Sequence, residues 1–282
     1  MGSRKPEHSG LVKRVQFNVR LQPMSSLKSA VKAITPQWAW KQMRKARLAY
    51  EYWSYPTYIT ERQYGRIRRK VEIHDGVAKD WYDKDWPELP ELQFLERNGL
   101  GLGGKVFDIG AHQCIVAMML AERVGQQGKV YAWEPVAGNV LAARRNLELN
   151  DVKNCEVVQG AVGSRSGIDT ELGRIFTIDE MVQLYGKPSA VMVDVEGFEG
   201  EALKGATQLL ASGCVWLVEV HQNAGLEAAG SSVSEVMSFF QSSGRYQLFA
   251  GELDHDLVPL DTQFDHGSLP KNRFMMGAVP LS

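Results

Sequence analysis

Two short apolar runs, each ending in an acid and set about two dozen residues apart, constrain this chain more than any other feature. The first, Val106-Phe107-Asp108-Ile109-Gly110-Ala111-His112, leads into a helical pattern from Ile115 to Val124. The second is Val130-Tyr131-Ala132-Trp133-Glu134. A strand, glycine turn, helix and strand in this order build a parallel sheet whose ligand crevice lies at the carboxyl ends of the strands. An acid at the tip of the second strand can accept both hydroxyls of a ribose, which suits an adenosine-containing cofactor.

The turn selects among such cofactors by what it lacks. A dinucleotide site needs G-x-G-x-x-G, whose second glycine lets the backbone approach a pyrophosphate. Here Gly110-Ala111-His112-Gln113-Cys114 offers a single glycine. S-adenosylmethionine carries no phosphate, so its turn tolerates side chains. The pattern reads as a class I methyltransferase.

With 282 residues, 44% of them hydrophobic, the chain is long enough for one large α/β domain and an appendage. No apolar run approaches the ~20 residues needed to span a bilayer, and no secretory pattern opens the chain. Cys114, Cys155 and Cys214 are odd in number and embedded in apolar stretches, so a reducing cytoplasm is expected rather than a disulfide framework. Zinc spacing is absent. The net charge of -1 hides a division: residues 1–70 hold 16 Lys and Arg against three acids, and the other 212 residues hold 16 against 30. A basic arm precedes an acidic domain. The arm can touch an anionic membrane, a nucleic acid or the domain itself.

Residues 1 to about 23 show no sustained period and are expected to be poorly ordered. Thr35-Pro36 has the pattern of a helix N-cap and first residue. Trp38, Trp40, Met43, Ala46, Tyr50 and Trp53 then alternate with Lys41, Arg44, Lys45 and Arg47, so a basic amphipathic helix is expected over 36–53. It either lies at a lipid interface or packs its aromatic stripe on the domain. Val71 to Val77 alternates and contains Asp75-Gly76, which suggests a short hairpin. Leu92, Phe94, Leu95 and Leu100 point to a helix, and the 60–100 region to a cap at the pocket mouth.

From 105 onward strands are expected over 105–109, 129–134, 155–161, 190–195, 215–220, 246–250 and 273–279. Helices are expected over 113–124, 137–149, 178–184, 199–211 and 233–242, the last opening with Ser232 and Glu235 at capping-box spacing. The fold class is α/β: a Rossmann-like, seven-stranded, mostly parallel sheet with helices on both faces. A basic N-terminal extension and cap occupies 1–100, and the cofactor-binding domain 101–282.

A second constellation follows the fourth and fifth strands. Val191-Met192-Val193 runs into Asp194, Glu196 and Glu199, and Asp194 and Glu196 face the same way while the chain stays extended. Trp216-Leu217-Val218-Glu219-Val220-His221 repeats the arrangement. If these strands are neighbours, the ionisable groups converge where a transferred methyl would lie. Transfer from sulfonium to oxygen is an in-line displacement that needs positioning and a deprotonated nucleophile, and a general base helps an unactivated hydroxyl. His221, oriented by Glu219 or Glu196, is the first candidate and Asp194 the second. Three blander readings stay open. His221 can bond a backbone carbonyl, Glu199 can serve the first turn of a helix, and Asp194, Glu196, Glu199 and His221 can hold a divalent cation. Two oxygen ligands at strand ends do not establish a cage, so no metal is expected.

Asp108-Ile-Gly-Ala, Glu134-Pro135, Gln159-Gly-Ala-Val-Gly163, Thr177-Ile-Asp179-Glu, Val193-Asp-Val-Glu-Gly-Phe-Glu199, Leu203-Lys-Gly-Ala206 and Val218-Glu-Val-His221 together resemble the FkbM-type methyltransferases, in order from about 105 to 280. The block D-V-E-G-x-E leading into L-K-G-A is the most specific part. The resemblance implies dependence on S-adenosylmethionine and methylation of hydroxyls of sugars or natural products. It makes Asp108, Gly110 and Glu134 cofactor contacts, Ala161 and Val162 the adenine wall, and Asp194, Glu196 and Glu199 the reaction-side acids. The family usually carries asparagine-isoleucine-glycine where this chain has His112-Gln113-Cys114, and usually an acid at Ser164. His112 is then expected to donate to the cofactor carboxylate as asparagine would, and Cys114 to narrow the methionine end of the pocket.

The expectation is an O-methyltransferase taking a small-molecule or glycan acceptor, cytoplasmic, with peripheral membrane contact through 36–53. An N-methyltransferase and a non-catalytic cofactor-binding scaffold are the alternatives. A nucleic-acid substrate is not expected, because an acidic domain repels phosphates and no N-P-P-Y-type tetrapeptide follows strand four. Oligomeric state is not legible.

Overall fold

The computed structural model describes residues 54–260 and 269–281. The basic arm and the amphipathic segment 36–53 lie outside the described residues. The described residues belong to one compact unit.

In chain order the elements begin with the hairpin β1 (Tyr58–Tyr64) and β2 (Ile67–Ile73), then helices α1 (Gly76–Tyr82) and α2 (Pro90–Arg97). The alternating core follows: β3 (Lys105–Ile109), α3 (Ile115–Val124), β4 (Lys129–Glu134), α4 (Ala137–Leu149) and β5 (Cys155–Gln159). Three short strands come next, β6 (Ala161–Val162), β7 (Gly167–Asp169) and β8 (Gly173–Phe176), then α5 (Ile178–Tyr185) and β9 (Ala190–Val193). The chain ends with α6 (Glu199–Lys204), α7 (Thr207–Ser212), β10 (Val215–Val220), α8 (Val233–Gln241), β11 (Tyr246–Gly251), β12 (Val258–Pro259) and β13 (Phe274–Pro280).

The main sheet has the order β12-β11-β13-β10-β9-β3-β4-β5. Its inner pairings β10/β9, β9/β3, β3/β4 and β4/β5 are parallel, and β13 runs antiparallel to both β10 and β11. Every residue of β9 and β10 is buried, as parallel strands covered on both faces require. Alternate residues of β3 feed opposite layers. Val106 joins the core beneath α3 and α4, while Phe107 and Ile109 join the one beneath α5 to α8. The expected doubly wound sheet is present, with the two-residue β12 as an eighth strand at one edge.

The hairpin is displaced from its expected place. Asp75-Gly76 does not turn two strands. Asp75 Oδ1 accepts from Ala78 N and caps α1, and the strands turn instead at Gly65-Arg66, with Tyr64 paired to Ile67 and Gly65 at φ +55°. A glycine with positive φ in the first position of a two-residue loop is the geometry of a type II′ turn. The outer edge of β2 is closed by side-chain amides of α4: Asn146 Oδ1 accepts from Glu72 N, and Asn150 bonds both Lys70 N and Lys70 O. Residues 64–100 share the core of α3, through Tyr64, Val71, Ile73, Leu92 and Leu95.

Two further boundaries differ from the expected ones. The helix expected over 199–211 breaks at Gly205-Ala206, where a Cβ on Gly205 would stand 2.3 Å from the Gly163 carbonyl oxygen. Asp179 accepts from Gln208 N and Leu209 N and so starts α7 afresh. The strand expected over 155–161 divides at Gly160, and Ala161-Val162 pairs with Ile175-Phe176 in a separate three-stranded sheet.

Candidate active site

The carboxyl ends of β4, β3, β9 and β10 lie side by side, and the turn after β3 is fastened across them. Gly110 N and Ala111 N both donate to the Trp133 carbonyl, at 2.9 and 3.0 Å, and His112 N donates to Glu134 Oε2 at 3.0 Å. Gly110 has φ +93°, and a Cβ there would lie 1.6 Å from the Asp194 carbonyl oxygen. That approach explains the one glycine the turn retains. It also brings the backbone after β3 against the residue that opens the second constellation.

Glu134 Oε1 accepts from Val136 N at 2.8 Å and from Asn139 Nδ2 at 3.2 Å. With His112 N on Oε2, three of a carboxylate's roughly four acceptor positions are taken by the chain itself. Glu134 therefore shapes the turn, with about one acceptor position left over. Burial raises its pKa, opposed by those three donors. Asp108 is buried deeper, and burial together with the charge of Glu134 pushes it up to about 7. Its Oδ2 has no hydrogen-bond partner. Ala161 is buried, and Val162 packs against the core beside it, just past Gly160, whose N donates to the Glu134 carbonyl.

The two substitutions that set this turn apart find different settings. His112 and Cys114 take positive φ, 46° and 65°, without being glycine. The Cys114 thiol is fully buried in the core of α3, where the hydrogen bond with the neighbouring Cys155 thiol, and then burial, raise its pKa well above the usual value. His112 Nδ1 shares a 2.6 Å hydrogen bond with the Tyr82 hydroxyl, and burial lowers its pKa. Gln113 Nε2 donates to Asp75 Oδ2 at 3.1 Å. Helix α1 is thus tied to the turn at both of its ends. Tyr82, buried and surrounded by the charges of Asp194, Asp108 and Glu134, belongs to this site. Its sequence surroundings gave no sign of that.

On the other side of β3, Asp194 N donates to the Ile109 carbonyl at 2.8 Å and prolongs the ladder of β9. Glu196 and Gly197 then take positive φ, 50° and 101°, and the chain doubles back into α6. This turn carries Glu199 inward, fully buried, where Oε1 accepts from Gly197 N at 2.9 Å and bonds His221 Nδ1 at 2.7 Å. His221, also fully buried, points Nε2 at three more carboxylates: Glu196 Oε2 at 3.2 Å, Glu219 Oε1 at 3.6 Å and Asp194 Oδ1 at 3.7 Å. Arg273 approaches Glu219 Oε1 to 3.3 Å.

The expected convergence of Asp194, Glu196, Glu219 and His221 is present. The partner that orients the imidazole is Glu199, where Glu219 or Glu196 was expected. Burial by itself lowers the pKa of His221, but the carboxylates of Glu196, Glu199 and Glu219 outweigh it and raise it to about 10. By themselves these acids therefore favour the protonated ring, and a general base or a metal ligand at this position has to give that proton up. Burial and the charge of Glu219 push Asp194 up to about 8. Burial likewise raises Glu219. Glu196, whose side chain is 76% exposed, is lowered by His221.

The chain thus carries a glycine turn fastened by Glu134 on one side of β3 and an acid-rich cluster on the other, at the carboxyl ends of a doubly wound sheet, where such folds bind their ligands. The FkbM methyltransferase domain matches residues 108–248, half of the chain. The chain belongs to that family, and its cofactor is S-adenosylmethionine. Glu134 and the orphaned Asp108 Oδ2 fit a ligand bearing hydroxyls and positive charge. No curated protein sequence matches the chain. Among solved structures it is similar to an FkbM methyltransferase from Methylobacillus flagellatus, with 17% identity over 62% of this chain and 43% of that one and a TM-score of 0.46. It is also similar to an S-adenosylmethionine-dependent O-methyltransferase from Thermotoga maritima, at 15% identity, 76% and 75% coverage and a TM-score of 0.46. A methyltransferase of the same dependence from Aquifex aeolicus gives 16%, 72%, 93% and 0.45 in the same order.

Proposed function

We propose that this protein is an O-methyltransferase acting on a hydroxyl of a sugar, glycolipid or natural product. The observation that carries the reading is the turn at Gly110, which packs on the Asp194 carbonyl and so sets the cofactor cradle directly against the carboxylates around His221. Bound S-adenosylmethionine supplies a methyl group on a cationic sulfur. Glu134 presents the acceptor for the ribose hydroxyls, and Asp108 an unpaired oxygen at the base of the turn. Glu196 is the exposed, ionised carboxylate of the cluster and takes the proton of an incoming hydroxyl. His221, held by Glu199, keeps these acids in place and offsets their mutual repulsion.

The test is incubation of the full chain with methyl-labelled cofactor and extracts of sugars, glycolipids and small metabolites. Label in alkali-stable ethers supports the reading. Label in amines replaces it with N-methylation. Binding of S-adenosylhomocysteine without transfer to any extract favours a scaffold. Among the described residues no helix is long and apolar enough to cross a membrane. We further propose that residues 36–53 contact anionic lipid on the cytoplasmic side; equal sedimentation with liposomes of the full chain and of a form lacking residues 1–55 would dismiss this.

A further inference from the structure

We propose that Asp194, Glu219 and His221 form a binding site for a hard divalent cation, Mn2+ or Mg2+, at which the acceptor hydroxyl completes the coordination. The inference rests on the O-methyl reading for its chemistry but not for its geometry. One ligand atom from each of the three residues lies within 4.8 Å of the others. Atoms on opposite sides of such a cation stand about 4.2 Å apart, since each bond is about 2.1 Å. The cluster is therefore slightly more open than a bound cation would leave it.

The observation that points to a ligand is the imidazole. His221 is fully buried, and its Nε2 has no well-aligned hydrogen-bond partner: Glu196 Oε2, at 3.2 Å, is an exposed ion-pair contact, and Glu219 and Asp194 stand farther off; Asp194 Oδ1 is likewise buried without a hydrogen-bond donor. Meanwhile Nδ1 is fixed by Glu199, itself fully buried and anchored on Gly197 N. A carboxylate on one ring nitrogen, with the other left toward a group of acids, is how proteins present a ligating histidine. Two carboxylate oxygens and one imidazole suit Mn2+ or Mg2+ better than the thiolate-preferring metals. Octahedral preference leaves about three positions for water and substrate.

A hydroxyl at one of those positions becomes a stronger acid. During transfer the oxygen-carbon bond forms as the sulfur-carbon bond breaks. The sulfur leaves with the electron pair as a neutral thioether, and the hydroxyl proton passes to Glu196 and on to solvent. Glu196, whose side chain is exposed and 3.2 Å from His221 Nε2, stands at the solvent side of the cluster.

The experiment is titration of the full chain with Mn2+ alone, read by loss of the free-ion paramagnetic resonance signal, beside calorimetric binding of S-adenosylhomocysteine. One Mn2+ per chain is expected. Asp194→Asn and Glu219→Gln should weaken it more than tenfold, and Glu199→Gln, which acts only through the imidazole, by roughly 10–100-fold. Thermal unfolding of each variant identifies any that fail to fold, and a folded member of the three decides the matter. Absence of Mn2+ binding with normal S-adenosylhomocysteine binding overturns the cation site and leaves the methyltransferase reading standing. Equal Mn2+ affinity in wild type and a folded Asp194→Asn or Glu219→Gln variant also overturns it. Mn2+ binding without S-adenosylhomocysteine binding supports the site and removes the enzymatic role.

Discussion

Replacing Glu91 by Gln should stabilise the protein, and only on the alkaline side. Glu91 is the second residue of α2, 5% exposed, with Oε2 lacking any hydrogen bond. Burial, with the charges of Asp254 and Glu219 adding to it, raises its pKa from 4.5 to about 7 against the opposing pull of its own backbone N–H. The folded protein therefore holds a proton that the unfolded chain has already released. Wild-type stability falls as pH rises through that interval, and the loss is complete above the folded pKa. At about 1.4 kcal/mol per unit the penalty is ~3 kcal/mol. An acid in the first turn of a helix gains at most ~1 kcal/mol from the helix dipole, so burial wins and a net gain of ~2 kcal/mol remains for Gln. For a chain of this size that is a rise of roughly 4–8 °C in melting temperature. Urea unfolding of both proteins at about pH 4 and pH 8.5 is the assay. Coincident curves at the acid pH and a higher midpoint for the variant at the alkaline pH are expected. The same shift at both pH values, or none, would refute the reasoning, since either result means the proton is not taken up on folding.

Three further outcomes bear on the proposed cofactor cradle. Gly110→Ala must move its new Cβ from 1.6 Å to an ordinary approach of about 3.3 Å from the Asp194 carbonyl, at a positive φ that itself costs ~1–2 kcal/mol. A lower melting temperature and at least tenfold weaker S-adenosylhomocysteine binding should result, and wild-type affinity would contradict the close packing. Glu134→Ala releases His112 N as well as the ribose acceptor, so affinity should fall by about 10–100-fold, as loss of one or two charged hydrogen bonds implies; an unchanged dissociation constant removes Glu134 from the site. Tyr82→Phe deletes the bond to His112 Nδ1 and should cost about 1 kcal/mol of stability with a several-fold loss of cofactor affinity. If neither moves in calorimetry or thermal melts, α1 does not support the turn.

Much of the sheet was legible because its strands are buried on both faces and read as unbroken apolar runs, and the helix over 137–149 is found with its expected bounds. The elements that moved did so where one local signal serves two structures. Asp-Gly marks a hairpin turn as readily as an N-cap, and at Asp75 the cap won because its side chain reaches Ala78 N. Ser232 caps α8 as its spacing predicts, but the reciprocal half is absent: Glu235 turns to Ser231 and Lys204. In the site, the acids and His221 were visible as residue types at strand ends. The partner of the imidazole was not, because whether Glu199 faces solvent or the core depends on the positive φ at Glu196 and Gly197. Tyr82 was out of reach for a similar reason, since a contact thirty residues away has no periodicity.

Helix α1 meets consecutive residues of the turn through its two ends, Asp75 to Gln113 and Tyr82 to His112. A seven-residue helix pinned this way cannot tilt or slide without dragging both of them. Whatever leans on its outer face is felt at His112 and Gln113, and by the reciprocity of linked equilibria anything the turn binds would set how firmly that face is presented.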